Sequence, residues 1–271
     1  MKESCLDVIY DRRSVLHFKN EDVPSEVVEK VLRAAQRAPA PGGSLAGGYR
    51  GAQPMSIIVV KDKARREQLN EMLCEGRRQC IEKAPVSLVF CIDTHRMNRW
   101  AALEGGLPHF RGIGVRWVAM RAVYAAAQNA VIAAGALGLG TQYIQEIVWQ
   151  PYKTLEFFRL PKQVLPIAML IIGYPKDRPS LAPTLPLEAL VHEETYRDPS
   201  DEELIAHFEE KERYFQDWLA RLPENSTIRK HIDAKGVKNL AQYVSLLTYS
   251  NSFYKWRDDV VRSNLVMSEL E

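Results

Sequence analysis

Two hydrophobic periods alternate along the chain. Val27, Val28, Val31, Leu32 and Ala35 fall three or four residues apart, on one face of a helix that stops at Pro39. The runs MSIIVV at 55–60 and VSLVFCID at 86–93 are instead short, continuous and rich in branched residues, the pattern of strands covered on both faces. A charged helix at 64–73 separates them. Residues 117–137 predict an almost uncharged, alanine-packed helix that is apolar on every side and belongs in a core or at a subunit contact. Further strands are predicted at 141–147 and 168–173. A short helix opens the chain at 4–10, with Ser4 as N-cap and Asp7 in its first turn. The order helix, helix, strand, helix, strand, helix, strand, helix, strand predicts an α+β layer with helices covering one central sheet.

Two stretches break this rhythm. Residues 39–54, PAPGGSLAGGYRGAQP, carry five glycines and three prolines, too many for a regular element, and the stretch is long for an ordinary connection. Prolines also recur from Pro175 to Pro199, after which Ser200-Asp201-Glu202-Glu203 opens a helix with a capping-box signature. Leu204, Phe208, Phe215, Leu219 and Leu222, with Trp218 beside them, stripe that otherwise charged helix, so it is expected to dock on something.

Composition narrows the classes of function. A chain of 271 residues with 46% apolar and 26% charged residues is long and apolar enough to bury a core as one large or two small domains. With 36 basic and 34 acidic residues the net charge of +2 creates no field that favours nucleic acid or an anionic membrane, which leaves small molecules or protein partners. Cys5, Cys74, Cys80 and Cys91 form no CxxC pair, and MKESCLDVIY has charges where a signal peptide needs an apolar run, so a reduced, cytoplasmic protein is expected. Residues 122–145 are uncharged over 24 positions, enough to span a bilayer. Gln128, Asn129, Gln142, Gln145 and the breaker run GALGLG favour a buried helix followed by a turn and a strand.

Most catalytic chemistries find no foothold. The six histidines lack ligand spacing, so no metal is implied, and GGSLAG does not satisfy GxSxG. Gly135, Gly138 and Gly140 follow a helix and precede a strand, the reverse of a dinucleotide-binding turn, and read as a helix C-terminus. Arg12-Arg13-Ser14 remains: two guanidiniums and a hydroxyl at a helix end can grip a phosphate through charge-assisted hydrogen bonds. Taken alone the same triplet also reads as a solvated basic turn.

Four segments in order resemble the FMN-dependent nitroreductase family. They are Arg12-Arg13-Ser14-Val15-Leu16-His17-Phe18, the run Ala34 to Pro39 followed by Gln53-Pro54-Met55, the pair Ala127-Gln128-Asn129-Ala130 and Leu137 to Gly140, and Ile171-Ile172-Gly173-Tyr174-Pro175. The segment from Leu185 to Tyr196 is further similar to the branch of NADPH-dependent, oxygen-insensitive nitroreductases and flavin reductases. The resemblance implies a mostly antiparallel sheet covered by helices in a domain-swapped homodimer with a helical C-terminal arm. The flavin-binding domain would span 1–196 and the arm 197–271. FMN is the implied cofactor and NAD(P)H the co-substrate, in a ping-pong reduction of a small-molecule acceptor such as a nitroaromatic, quinone or flavin.

By that resemblance Arg12, Arg13 and Ser14 hold the FMN phosphate, while Pro39, Ala40, Pro41 and Gln53 line the flavin. The backbone of Gln145 and Glu146 faces flavin N5, and Tyr49 and Arg50, in an inserted loop, contact the acceptor. No catalytic side chain is implied, since hydride transfer belongs to the cofactor. The chain also departs from the family pattern: Leu16 replaces the second arginine of the phosphate motif, and Ala182 and Thr184 replace two later cations. Gly51 and Ala40 stand where polar side chains are usual. Arg77, Arg78 and Arg178 are the nearest replacements by alignment. The same fold with another flavin reaction, such as dehalogenation, enoate reduction or dehydrogenation, and a non-catalytic flavin-binding protein are the alternative readings.

Overall fold

The computed structural model describes residues 4–40, 53–75 and 79–248. The chain divides into two compact units between Ser180 and Leu181. In the first, helices α1 (Cys5–Tyr10) and α2 (Ser25–Gln36) precede strand β1 (Met55–Val60), then α3 (Lys63–Cys74), α4 (Cys80–Lys83) and β2 (Val86–Asp93). Helices α5 (Thr94–Leu103) and α6 (Gly112–Ala136), strand β3 (Gly140–Tyr143), α7 (Pro151–Phe157) and β4 (Val164–Gly173) complete it. The strands form one antiparallel sheet in the order β1-β2-β4-β3.

Both faces of the central strands are covered, which explains their unbroken apolar runs. Leu88, Phe90 and Ile92 of β2 with Leu170 and Ile172 of β4 pack under α2 and α6. The alternate residues Val89, Cys91, Met169 and Ile171 pack with Leu69 and Leu73 of α3. All eight β2 residues are buried. β1 is covered on both faces but less completely: Met55 and Ile57 pack on the α2/α6 side and Ile58 on the α3 side, while Val59 is 38% exposed on a strand that pairs only with β2. Sequence composition cannot tell a central strand from an edge strand.

The strand expected at 141–147 is shorter. Its last ladder bond runs from the Ile144 N–H to the Met169 carbonyl at 2.9 Å, after which Gln145–Val148 form a 3₁₀ turn. Ile144 and Ile147 are still buried, three apart, so the turn satisfies their hydrophobicity as a strand would. β4 begins earlier than 168 because Pro166 is accommodated at a bulge: Pro166 faces Cys91 and Ala168 faces Phe90, leaving Ile167 as the extra residue.

Alanines make α6 a core helix. Ala119, Ala122, Ala126, Ala127, Ala130 and Ala134 are all buried, which lets α2 and the sheet approach its backbone, and Asn129 donates to the Ala34 carbonyl of α2. The helix ends in a Schellman arrangement: Gly138, at φ +77°, donates to Gly135, and Leu139 donates to Ala134. Among the described residues no helix is long and apolar enough to cross a membrane.

In the second unit α8 (Asp201–Arg221) starts with a complete capping box between Ser200 and Glu203, followed by α9 (Thr227–Ala234) and a short α10 (Leu240–Gln242). The expected stripe on α8 divides. Phe215 is buried with Ile232 and Val237, and Trp218, Leu219 and Leu222 pack against this small core. Leu204 and Phe208 at the other end remain 46% and 42% exposed.

Candidate functional site

The arginine-rich motif is positioned by missing side chains elsewhere. After α1 the chain runs alongside β3, with Ser14 bridging Thr141 in parallel and the Val15 N–H bonded to the Thr141 carbonyl at 3.0 Å. A Cβ on Gly140 would lie 2.7 Å from the Val15 side chain, so only glycine lets the motif lie this close to the strand. A Cβ on Gly173 would likewise stand 2.8 Å from the ring of Phe18, which forms a second bridge at Pro175. The glycines of the α6–β3 turn and of the strand before Tyr174-Pro175 thus hold the motif from both sides.

The result is a cleft of about 310 Å³ whose lining includes Arg12, Arg13 and Arg178, together with Asp11, Thr141 and Asp177. Arg13 is largely buried, its side chain 19% exposed. Its Nη1 donates to the Asp11 carbonyl at 2.7 Å and to the Asp11 carboxylate at 2.5 Å, whereas its buried Nε has no hydrogen-bond partner among the described residues. Arg178 donates to the same carboxylate oxygen. Arg12 reaches Ser14 Oγ at 3.5 Å. Asp177, also at the cleft, pairs with the exposed His17 at 2.8 Å. A buried guanidinium nitrogen without an acceptor suits an oxyanion, and charge-assisted arginine–phosphate pairs are frequently bidentate. These residues fit the phosphate of a flavin mononucleotide.

Beyond Thr141, β3 carries Tyr143 into the neighbourhood of Arg12 and Tyr124. Burial first and Tyr124 second push the Tyr143 phenol up to about 12, with Arg12 acting in the opposite direction. Tyr124 itself, raised by burial, donates to the Ile167 carbonyl at 3.1 Å. Both phenols therefore stay protonated at neutral pH. Gln145 and Glu146 follow directly in the 3₁₀ turn, the first exposed and the second buried.

Gln53, Pro39 and Ala40 fall in a second group at the C-terminal end of α2. Gln53 has φ +32°, strained for a non-glycine residue, and its side-chain amide donates to the Gln36 carbonyl at 2.9 Å. Its own carbonyl accepts from Arg96 at 2.6 Å. That side chain is thus engaged in capping α2. A wider cleft of about 720 Å³ opens there, lined by Gln36, Gln53, Ser56 and Arg96 among others. Pro41, Tyr49, Arg50, Arg77 and Arg78 lie outside the described residues.

Sequence reasoning missed Asp11. A carboxylate beside two arginines reads as a solvated turn, and only the fold brings Arg178, 167 positions away, to the same oxygen.

Comparison with known proteins points in one direction. The nitroreductase family model matches residues 9–174. An FMN reductase [NAD(P)H] from Bacillus subtilis is 32% identical over 249 residues, covering 90% of each chain. An oxygen-insensitive NADPH nitroreductase from Salmonella typhimurium is 35% identical over 207 residues, 76% of this chain and 80% of that one. Among solved structures, NfrA2 from B. megaterium superposes with a TM-score of 0.73 at 28% identity, covering 96% of this chain and 97% of its own.

Proposed function

Because the chain belongs to the nitroreductase family, we propose that it is an FMN-dependent NAD(P)H oxidoreductase reducing nitroaromatic, quinone or flavin-type acceptors in a ping-pong cycle. The relatives named FMN reductase and NADPH nitroreductase support this reading. The observation that carries it is the partnerless, buried Nε of Arg13 in a cleft shared with two more arginines. Bound FMN would supply the two-electron chemistry, accepting hydride from the nicotinamide and passing it to the acceptor. The chain supplies placement. Arg12, Arg13 and Ser14, joined by Arg178, hold the phosphate; Pro39, Ala40, Pro41 and Gln53 line the ring system; the backbone of Gln145 and Glu146 faces its reactive nitrogen. Tyr49 and Arg50 contact the acceptor.

The same reading includes a domain-swapped homodimer in the cytoplasm, with residues 1–196 as the flavin-binding domain and 197–271 as an arm on the partner. Its support is the large apolar surface that each unit leaves open. Trp117 and Tyr124 of α6 are 64% and 46% exposed, and Ile205 of α8 is 73% exposed beside Leu204 and Phe208. Side chains of this size contribute about 1.5–3 kcal/mol each when buried.

The decisive experiment is the visible spectrum of purified protein before and after anaerobic addition of NADPH or NADH. A flavin spectrum that bleaches with either donor and recovers on adding a quinone supports the oxidoreductase. A yellow protein that neither donor bleaches supports a flavin carrier instead, and a colourless protein that takes up no FMN removes the proposal.

A further inference from the structure

Asp11 stands where an incoming anion would compete with it. One carboxylate oxygen accepts from both Arg13 and Arg178, drawing together cations from opposite ends of the first unit. Its side chain is 28% exposed, against 69% for Arg178, so Asp11 is the more buried partner of that pair. The N-terminal motif lacks its usual second arginine, having Leu16 there, and the structure puts Arg178 at the same cleft. The cleft therefore holds three arginines, but one internal anion already occupies two of them.

Resting on the flavin reading above, we infer that Asp11 is an internal counter-anion that sets how tightly the site holds a flavin phosphate. Its carboxylate neutralises the two guanidiniums the phosphate must use, and repels the phosphate at close range. The site then binds a phosphorylated flavin weakly enough to exchange it. Two opposing effects decide the sign. Asp11 also orders two long side chains, which helps any ligand that needs them in place. For Arg13 that ordering does not depend on the charge, since Nη1 also donates to the Asp11 backbone carbonyl at 2.7 Å, and for Arg178, which reaches the carboxylate, an asparagine keeps a neutral side-chain acceptor in the same place. Removing the charge alone thus leaves the geometry and lifts the repulsion, so phosphate binding tightens.

The test is equilibrium dialysis of the full-length protein against FMN and, separately, riboflavin, which has the same ring system without the phosphate. Asp11→Asn is expected to bind FMN about tenfold more tightly with riboflavin unchanged, and Arg178→Ala to bind FMN about tenfold less tightly, again sparing riboflavin. Thermal melts give a second readout. Asp11→Asn should melt lower than the parent without flavin, because two arginines lose their carboxylate, and should gain more than the parent from saturating FMN. A residue that was merely structural would lower both melting temperatures and leave the FMN-induced gain unchanged. If Asp11→Asn weakens FMN or leaves it unchanged while Arg13→Ala still weakens FMN selectively, the role of Asp11 is overturned and the phosphate site stands. If Arg13→Ala leaves FMN and riboflavin affinities in their original ratio, the phosphate site itself is wrong and the inference falls with it.

Discussion

Arg13 concentrates the demands of the site in one side chain: it is mostly buried, anchored through Nη1, and has an Nε without a partner. Arg13→Ala should weaken FMN binding tenfold or more, since a hydrogen bond to a charged group contributes about 1.5–3 kcal/mol and 1.4 kcal/mol is a factor of ten. Riboflavin affinity should not move; full FMN occupancy in the variant would place the phosphate elsewhere. Cys91 gives a different residue-scale expectation. Burial, with Asp93 second, pushes its thiol from 9.0 to about 12. The unfolded chain then loses a proton near pH 9 that the folded chain keeps, so this contribution is complete below pH 9 and is lost as pH rises toward 12. Melting temperature should fall over that window by the equivalent of a few kcal/mol. Cys91→Ala should flatten the decline. A parent curve level from pH 9 to pH 11 would show the thiol to be hydrated after all.

At the scale of elements, the site depends on how closely the motif segment can lie on β3. Gly140→Ala adds a methyl 2.7 Å from Val15 Cγ2 and 2.9 Å from its Cβ, and neither is the end of a flexible side chain. The segment must shift, at about 1–3 kcal/mol, typical of overpacking. Because Arg13 is two residues from Val15, FMN affinity should fall together with stability. Thermal melting and flavin titration of the one variant check both, and a loss of stability with unchanged FMN binding would show that the motif adjusts independently of β3. Sequence periodicity located β1 and β2 to the residue but not that β1 is an edge strand with thinner cover, because pairing on one side or two is decided by sheet order. It also carried β3 too far, since residues three apart can be buried by a 3₁₀ turn as well as by a strand.

For the whole molecule, the exposed end of α8 is the feature that most needs a partner. Phe215 and Trp218 complete a small core within the second unit, leaving Leu204, Ile205 and Phe208 open. Truncation after Pro199 should therefore break the proposed dimer or make the protein aggregate in sedimentation, and a truncated protein that sediments as a soluble dimer would show that the proposed arm is dispensable for assembly. The sequence by itself determined the α+β class, the elements with strong periodicity, the family resemblance and the arginine motif, because each depends on neighbours within a few positions. Tertiary structure decided which strand is an edge, that the stripe on α8 splits, and that Asp11 joins Arg13 to Arg178. Those depend on contacts between residues far apart in the chain, where the side chain that completes a charge or covers a face is set by packing rather than by spacing.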